Sequence, residues 1–161
     1  MAANEGTQYT NFSNVSIGTA DGGGGLKQNG IKRTGAQAGL IDATTTLTNQ
    51  SNQVQLLVGA AGVTVTLPAL EDGLEFTFIV GATFITSNYV IASAEGDNIN
   101  GYVHNIVDGA IVAGAEDQVN LVATAESVGD WYKFVADTDG AQWLVSGQSA
   151  LTGATTATDP A

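Results

Sequence analysis

The stretch GDWYKFVADTDGAQWLVSGQS, residues 129–149, holds both tryptophans of the chain, with a tyrosine and a phenylalanine, around a short acidic turn. In DWYKFVA, alternation sets Trp131, Lys133 and Val135 on one side and Tyr132 and Phe134 on the other. In AQWLVS, Trp143 and Val145 oppose Leu144. A period of two marks a half-buried strand. The DTDG segment between them ends in Gly140, a residue suited to a positive φ, so the two strands read as a hairpin. Trp131 and Trp143 are then expected as near neighbours across it, an aromatic pair worth about 0.2–1 kcal/mol over small residues. The other reading of so many aromatics is a platform for a ligand.

The same period recurs upstream. VTVTL puts Val63, Val65 and Leu67 on one face and Thr64 and Thr66 on the other, before Pro68 stops the ladder. LEFTFIV sets Phe76, Phe78 and Val80 against Glu75, Thr77 and Ile79. Further short strands are expected around residues 54–58, 89–93, 111–112 and 119–123. Turn signals separate them: EDG at 71–73, EGDN at 95–98, VDG at 107–109 and GAED at 114–117. Strands at about ten-residue spacing with no helical period between them predict an all-β fold, an antiparallel β-sandwich or jelly-roll-like barrel. The body spans residues 40–149, an extended Gly-rich N-terminal arm spans 1–39, and 150–161 reads as a flexible C-terminal tail.

Composition agrees. Of the 161 residues, 43% are hydrophobic, enough for one core, and only 12% are charged, well under the usual quarter. Thr, Ser, Asn, Gln, Ala and Gly fill the gap, a mix that suits strands and turns rather than solvated helices.

The net charge of −12 is unevenly spread. Residues 1–33 carry Lys27, Lys32 and Arg33 against Glu5 and Asp21, a net +1. Residues 34–161 carry Lys133 against fourteen acids, a net −13. Such a body repels nucleic acid and anionic membrane, so neither is an expected partner. In the arm, Tyr9, Phe12, Val15 and Ile17 precede the joint Gly22–Gly23–Gly24–Gly25, and the three cations follow it. A purely disordered tail seldom needs such apolar residues. These seven side chains are the candidate partner-binding set. The chain has no cysteine, its first residues lack the pattern of a signal peptide, and FTFIVGATFI is about half the length of a membrane span. A soluble, unexported chain is expected.

No constellation for chemistry emerges. His104, the one histidine, has Asp108 four residues on but no nucleophile in a recognisable motif. DTDG superficially matches a calcium loop, yet Ala141 and Gln148 stand where an EF-hand needs ligands. A calcium site of another type, built from Asp and Asn at loop ends, stays open. GGGGLK lacks the preceding strand and the Gly-Lys-Ser/Thr of a phosphate loop. No catalytic residue, cofactor or metal is assigned.

The segments GVTVTLPALEDGLEFTFIVGA (62–82), NYVIASAEGDNINGY (88–102) and GDWYKFVADTDGAQWLVSGQS (129–149), taken in order, resemble the small head decoration, or cement, proteins of tailed bacteriophages and related phage virion proteins. The likeness covers residues 47–149 and not the arm. It implies an all-β module, often a homotrimer, that assembles on the outside of a capsid in the host cytoplasm. Its partner would be the major capsid protein, and its task to bridge neighbouring subunits against internal DNA pressure. The arm would reach either its own oligomer or the shell. The competing class is a recognition module, a fibre tip or carbohydrate-binding β-sandwich whose aromatics stack on sugar. The absence of a repetitive shaft favours the first.

Overall fold

A computed structural model describes residues 39–49, 51, 53–94, 98–107 and 109–159. All twelve elements among them are strands: β1 Gly39–Ile41, β2 Thr45–Thr46, β3 Val54–Leu57, β4 Thr64–Thr66, β5 Glu75–Val80, β6 Tyr89–Ala92, β7 Ile99–Asn105, β8 Gly109–Glu116, β9 Gln118–Leu121, β10 Trp131–Asp137, β11 Gln142–Ser149 and β12 Thr155–Thr158. They form a seven-stranded sheet, in the order β1-β3-β5-β10-β11-β7-β8, and a five-stranded sheet, in the order β12-β9-β6-β4-β2. The all-β expectation holds.

The expectation of antiparallel sheets needs correction: both sheets are mixed. Up to Ala92 the chain alternates between them, laying β1, β3 and β5 in parallel in one and β2, β4 and β6 in parallel in the other. Each strand serves as the crossover for the next pair, so parallel pairing forms without helices. Inward side chains stack along these coils. Ile41, Leu57 and Val80 stand in one row of the larger sheet. Val65, Ile91 and Val119 stand in one row of the smaller. From β7 onward antiparallel pairs dominate, with the β10–β11 hairpin inserted between β5 and β7.

Both inner faces feed one hydrophobic core. Phe78 meets Phe134 edge-on at 5.6 Å, and Trp143 packs against Phe76 at 6.0 Å. Two tyrosines tie the sheets together. Tyr89 of β6 donates to the Ile41 carbonyl at 2.9 Å and accepts from the Gly59 amide at 2.7 Å. Tyr132 of β10 lies 2.8 Å from the Thr155 hydroxyl of β12. Buried phenols need such partners, and here the partners sit on the opposite layer.

The terminal hairpin folds as its alternation predicts, Tyr132 and Phe134 in and Trp131 out. Its tryptophans are not neighbours. Trp131 pairs with Gln148 and Trp143 with Ala136, and the two point to opposite faces. Trp143 is fully buried, while Trp131 keeps 38% exposure. In the turn the positive φ falls on Ala141, at 52°, and not on Gly140. At Gly140 an added Cβ would displace the Asp137 carboxylate and the Gln142 amide that bond across the turn.

Residues 155–158, read as part of a flexible tail, instead form β12 against β9, with Ala154 and Thr155 buried. The stretch around His104 is strand β7, with the histidine exposed on its outer side. Gly101 of β7 has a φ of +135°, and a Cβ there would stand 2.1 Å from the Val145 carbonyl of β11. The segment 114–117, read as a turn, is the end of β8 plus one residue, bent by Ala115 at φ 57°.

Candidate docking surface

The arm residues Tyr9, Phe12, Val15, Ile17, Lys27, Lys32 and Arg33 lie outside the described residues. The body presents a different candidate, which follows from strand direction. Because each strand runs from one end of the sandwich to the other, successive connections alternate between the ends. Connections 47–53, 67–74 and 138–141, with the β8–β9 junction, meet at one end. Connections 42–44, 58–63, 81–88, 122–130 and 150–154, with the β7–β8 turn, meet at the other.

The first end is acidic. Glu71, Asp72, Glu116, Asp117, Asp137, Asp139 and Asp159 lie there, and no Lys or Arg does among the described residues. Polar neighbours hold several of them in place. Asp137 accepts from Gln142 Nε2 at 2.7 Å and from the Gly140 amide at 3.1 Å, and these bonds hold its carboxyl below the usual range. Glu71 accepts from Asn49 Nδ2 at 2.8 Å, and Asp72 accepts from the Thr138 hydroxyl.

The second end is apolar. Ile85, Ile106, Val107, Val128 and Leu151 project from four connections, each between 46% and 71% exposed. Main-chain bonds hold these tips in place. The Ile85 amide reaches the Ala60 carbonyl at 3.2 Å, and the Thr124 amide reaches the Phe84 carbonyl at 3.0 Å. The buried Asn105 side chain donates to the Leu151 carbonyl and accepts from the Val107 amide at 2.9 Å, binding the β7–β8 turn to the 150–154 connection.

Two acids at this end are turned inward. Asp130 spends its carboxylate on the Ser127 amide at 2.8 Å and the Ala150 amide at 3.0 Å. Glu126 accepts from the Tyr132 hydroxyl at 2.8 Å. Burial first, then the neighbouring Asp130, push its pKa up to about 9, against the opposing influence of Tyr132 and Thr155. It is therefore neutral at neutral pH. Asp42 is the one exposed carboxylate at this end among the described residues.

Among the described residues, this end presents five exposed apolar side chains and one exposed carboxylate, Asp42. Single exposed apolar residues are ordinary, and five at one end of a small body make it the candidate docking surface. Among the described residues no group of three or more His, Cys, Asp and Glu could hold a metal ion. Sequence reasoning missed the patch because each tip is a lone apolar residue inside a turn. The usable signal was the alternation of acidic turns (EDG, DTDG) with apolar ones (ITSN, NIV, SVG, ALTG). Comparison with known protein families, with curated proteins and with solved structures finds no match.

Proposed function

We propose that this chain is a structural virion protein that decorates the outer surface of a phage capsid, seated on the major capsid protein by its apolar end and working as a homo-oligomer, a trimer in the resemblance. One observation supports the reading beyond that resemblance: among the described residues, seven acids gather at one end of the body and five exposed apolar side chains at the other. A protein free in solution gains nothing from such polarity. One that stands on a surface buries the apolar end and keeps the charged end in water, where it keeps decorated particles apart. The arm, with Tyr9, Phe12, Val15, Ile17, Lys27, Lys32 and Arg33, supplies a second attachment. Its three cations add at most about 3 kcal/mol as exposed ion pairs.

The test is binding to expanded capsids that lack the protein. Ile106→Glu with Leu151→Glu removes two apolar contacts of roughly 1.5 kcal/mol or more each. The double variant should bind about 100-fold more weakly or worse. Asp72→Asn with Asp139→Asn at the opposite end should bind as wild type. Removing residues 1–37 should weaken binding separately, and the two losses should add. Full decoration by the double variant would refute docking through this end. Absence of capsid binding by the wild-type protein would refute the decoration reading as a whole.

A further inference from the structure

The two outer faces of the sandwich differ in chemistry. On the five-stranded sheet the outward residues are Thr46, Thr64, Thr66, Val90, Ala92, Gln118, Asn120, Thr156 and Thr158. Part of this face satisfies itself: Gln118 Nε2 and Asn120 Nδ2 both donate to the Thr158 hydroxyl, at 3.0 and 2.9 Å. The seven-stranded sheet is its opposite. Register places Leu40, Leu56, Ile79 and Trp131 side by side in one outward row across four strands, continued by Gln148 and His104. The next outward row runs Val54, Thr77, Lys133, Ser146 and Tyr102, and the one beyond it Glu75, Val135, Leu144 and Asn100. Leu40 and Tyr102 are 61% and 57% exposed.

We propose that this outer face of the seven-stranded sheet is the contact between copies of the chain. Three arguments favour a second copy as occupant. The first is area. Seven strands about 4.8 Å apart and some 20 Å long make a face of roughly 600 Å². That approaches the ~800 Å² per partner of a standard interface. The second is charge. A body of net −13 meets its own copy safely only where its acids are absent or paired. At its centre Lys133 and Glu75 already neutralise each other at 2.7 Å. Asp137, the other carboxylate on this face, stands at the last position of β10, held by Gln142 and the Gly140 amide, so it can stay at a solvated rim of the contact. The third is orientation. The face runs parallel to the strands, at right angles to both ends, so copies joined through it keep their apolar ends pointing the same way or in opposition. The apolar end stays free for another surface. The inference rests on the oligomeric part of the proposed function and not on the capsid.

Sedimentation velocity of the intact chain across concentration tests it. The wild-type protein should be an oligomer at tens of micromolar in moderate salt. Trp131→Lys, Leu40→Lys and Leu144→Lys should each weaken association, by at least about 30-fold for Trp131. Each lysine lowers the net negative charge, which by itself favours association, so any loss reports the face. These positions point outward, and unchanged melting temperatures will verify folding. A second readout needs no variant: Trp131, the exposed tryptophan, should become less accessible to acrylamide as the oligomer forms, while buried Trp143 stays unaffected. Ile106→Glu with Leu151→Glu should leave association intact, which separates this face from the apolar end. A monomer at 100 µM would overturn the proposal. So would variants that associate like wild type, or association that leaves Trp131 as accessible as before. Saturable quenching of Trp131 by a neutral oligosaccharide without self-association would assign the face to sugar instead.

Discussion

Glu126 makes the stability of this protein depend on pH in a direction opposite to that of most carboxylates. Its side chain is 6% exposed and packed beside Asp130, Tyr132 and Thr155, and its pKa rises from 4.5 to about 9. In the unfolded chain it ionises above about pH 4.5, while in the folded chain it keeps its proton to about pH 9. Below 4.5 both states are protonated and the folded state bears no penalty. As pH climbs from 4.5 towards 9, only the unfolded state releases the proton, so stability falls. Each pH unit in that window removes up to 1.36 kcal/mol, so the step from pH 5 to pH 8 removes about 4 kcal/mol at most. A domain holds roughly 5–15 kcal/mol in reserve, so the effect is large. At roughly 3–5 °C per kcal/mol the melting temperature should drop by about 12–20 °C. Glu126→Gln keeps the shape and stays neutral at every pH, and its amide can donate to Asp130. The variant should melt at nearly the same temperature at pH 5 and pH 8, and should exceed wild type at pH 8. The difference between the two proteins isolates Glu126 from every other titrating group. Equal slopes for wild type and variant would refute the reasoning, and so would a wild type indifferent to pH over this range.

The two tryptophans should separate cleanly under truncation. Trp143→Ala opens a cavity beside Phe76 in the core and should cost about 3–5 kcal/mol in urea unfolding. Trp131→Ala, on the outer face, should cost about 1 kcal/mol or less at concentrations where the chain is monomeric. Equal losses would contradict the opposite placement of the two side chains. Gly101→Ala should destabilise by about 2–4 kcal/mol, because the added Cβ meets the Val145 carbonyl at 2.1 Å and the φ of +135° is strained for alanine. Wild-type stability in that variant would rule out the close approach of β7 to β11.

What the sequence displays of this fold is its hydrophobic alternation. VTVTL, EFTFIV, WYKFVAD and QWLVSGQS each carry a strong period of two, and strands β4, β5, β10 and β11 lie there. The strands left unread lack that signal for identifiable reasons. β1 and β2 are only three and two residues long. β7, INGYVHN, has a glycine in its interior that reads as a turn, because its close approach to Val145 is a tertiary fact. β12, TTAT, buries a threonine whose hydroxyl is satisfied by Tyr132, a partner twenty-three residues away. Strand direction is hidden more deeply. An antiparallel hairpin announces itself by its turn, as DTDG does, whereas Ile41 pairs in parallel with Leu57 across an intervening strand of the other sheet.

Direction is also what conceals the candidate surfaces. Alternation tells that Trp131 opposes Tyr132, but not which side faces water. That is settled only when Tyr132 finds Thr155 and Glu126 in the interior. Likewise Ile85, Ile106, Val128 and Leu151 become one patch only because four connections separated along the chain return to the same end. The acids obey the same parity. With the chain reversing at every strand, an acidic EDG and an acidic DTDG fall together at one end, and every second connection between them falls at the other. A chain whose turns were selected for solubility alone would carry charge evenly at both ends, whereas the apolar end has Asp42 as its one exposed carboxylate among the described residues. Here the apolar end even buries and protonates Glu126 and ties Asp130 to two backbone amides, at a cost in stability that rises with pH. Glu126 and Asp130 face inward at the same end where five apolar side chains face outward. The contact proposed at that end would account for both arrangements together.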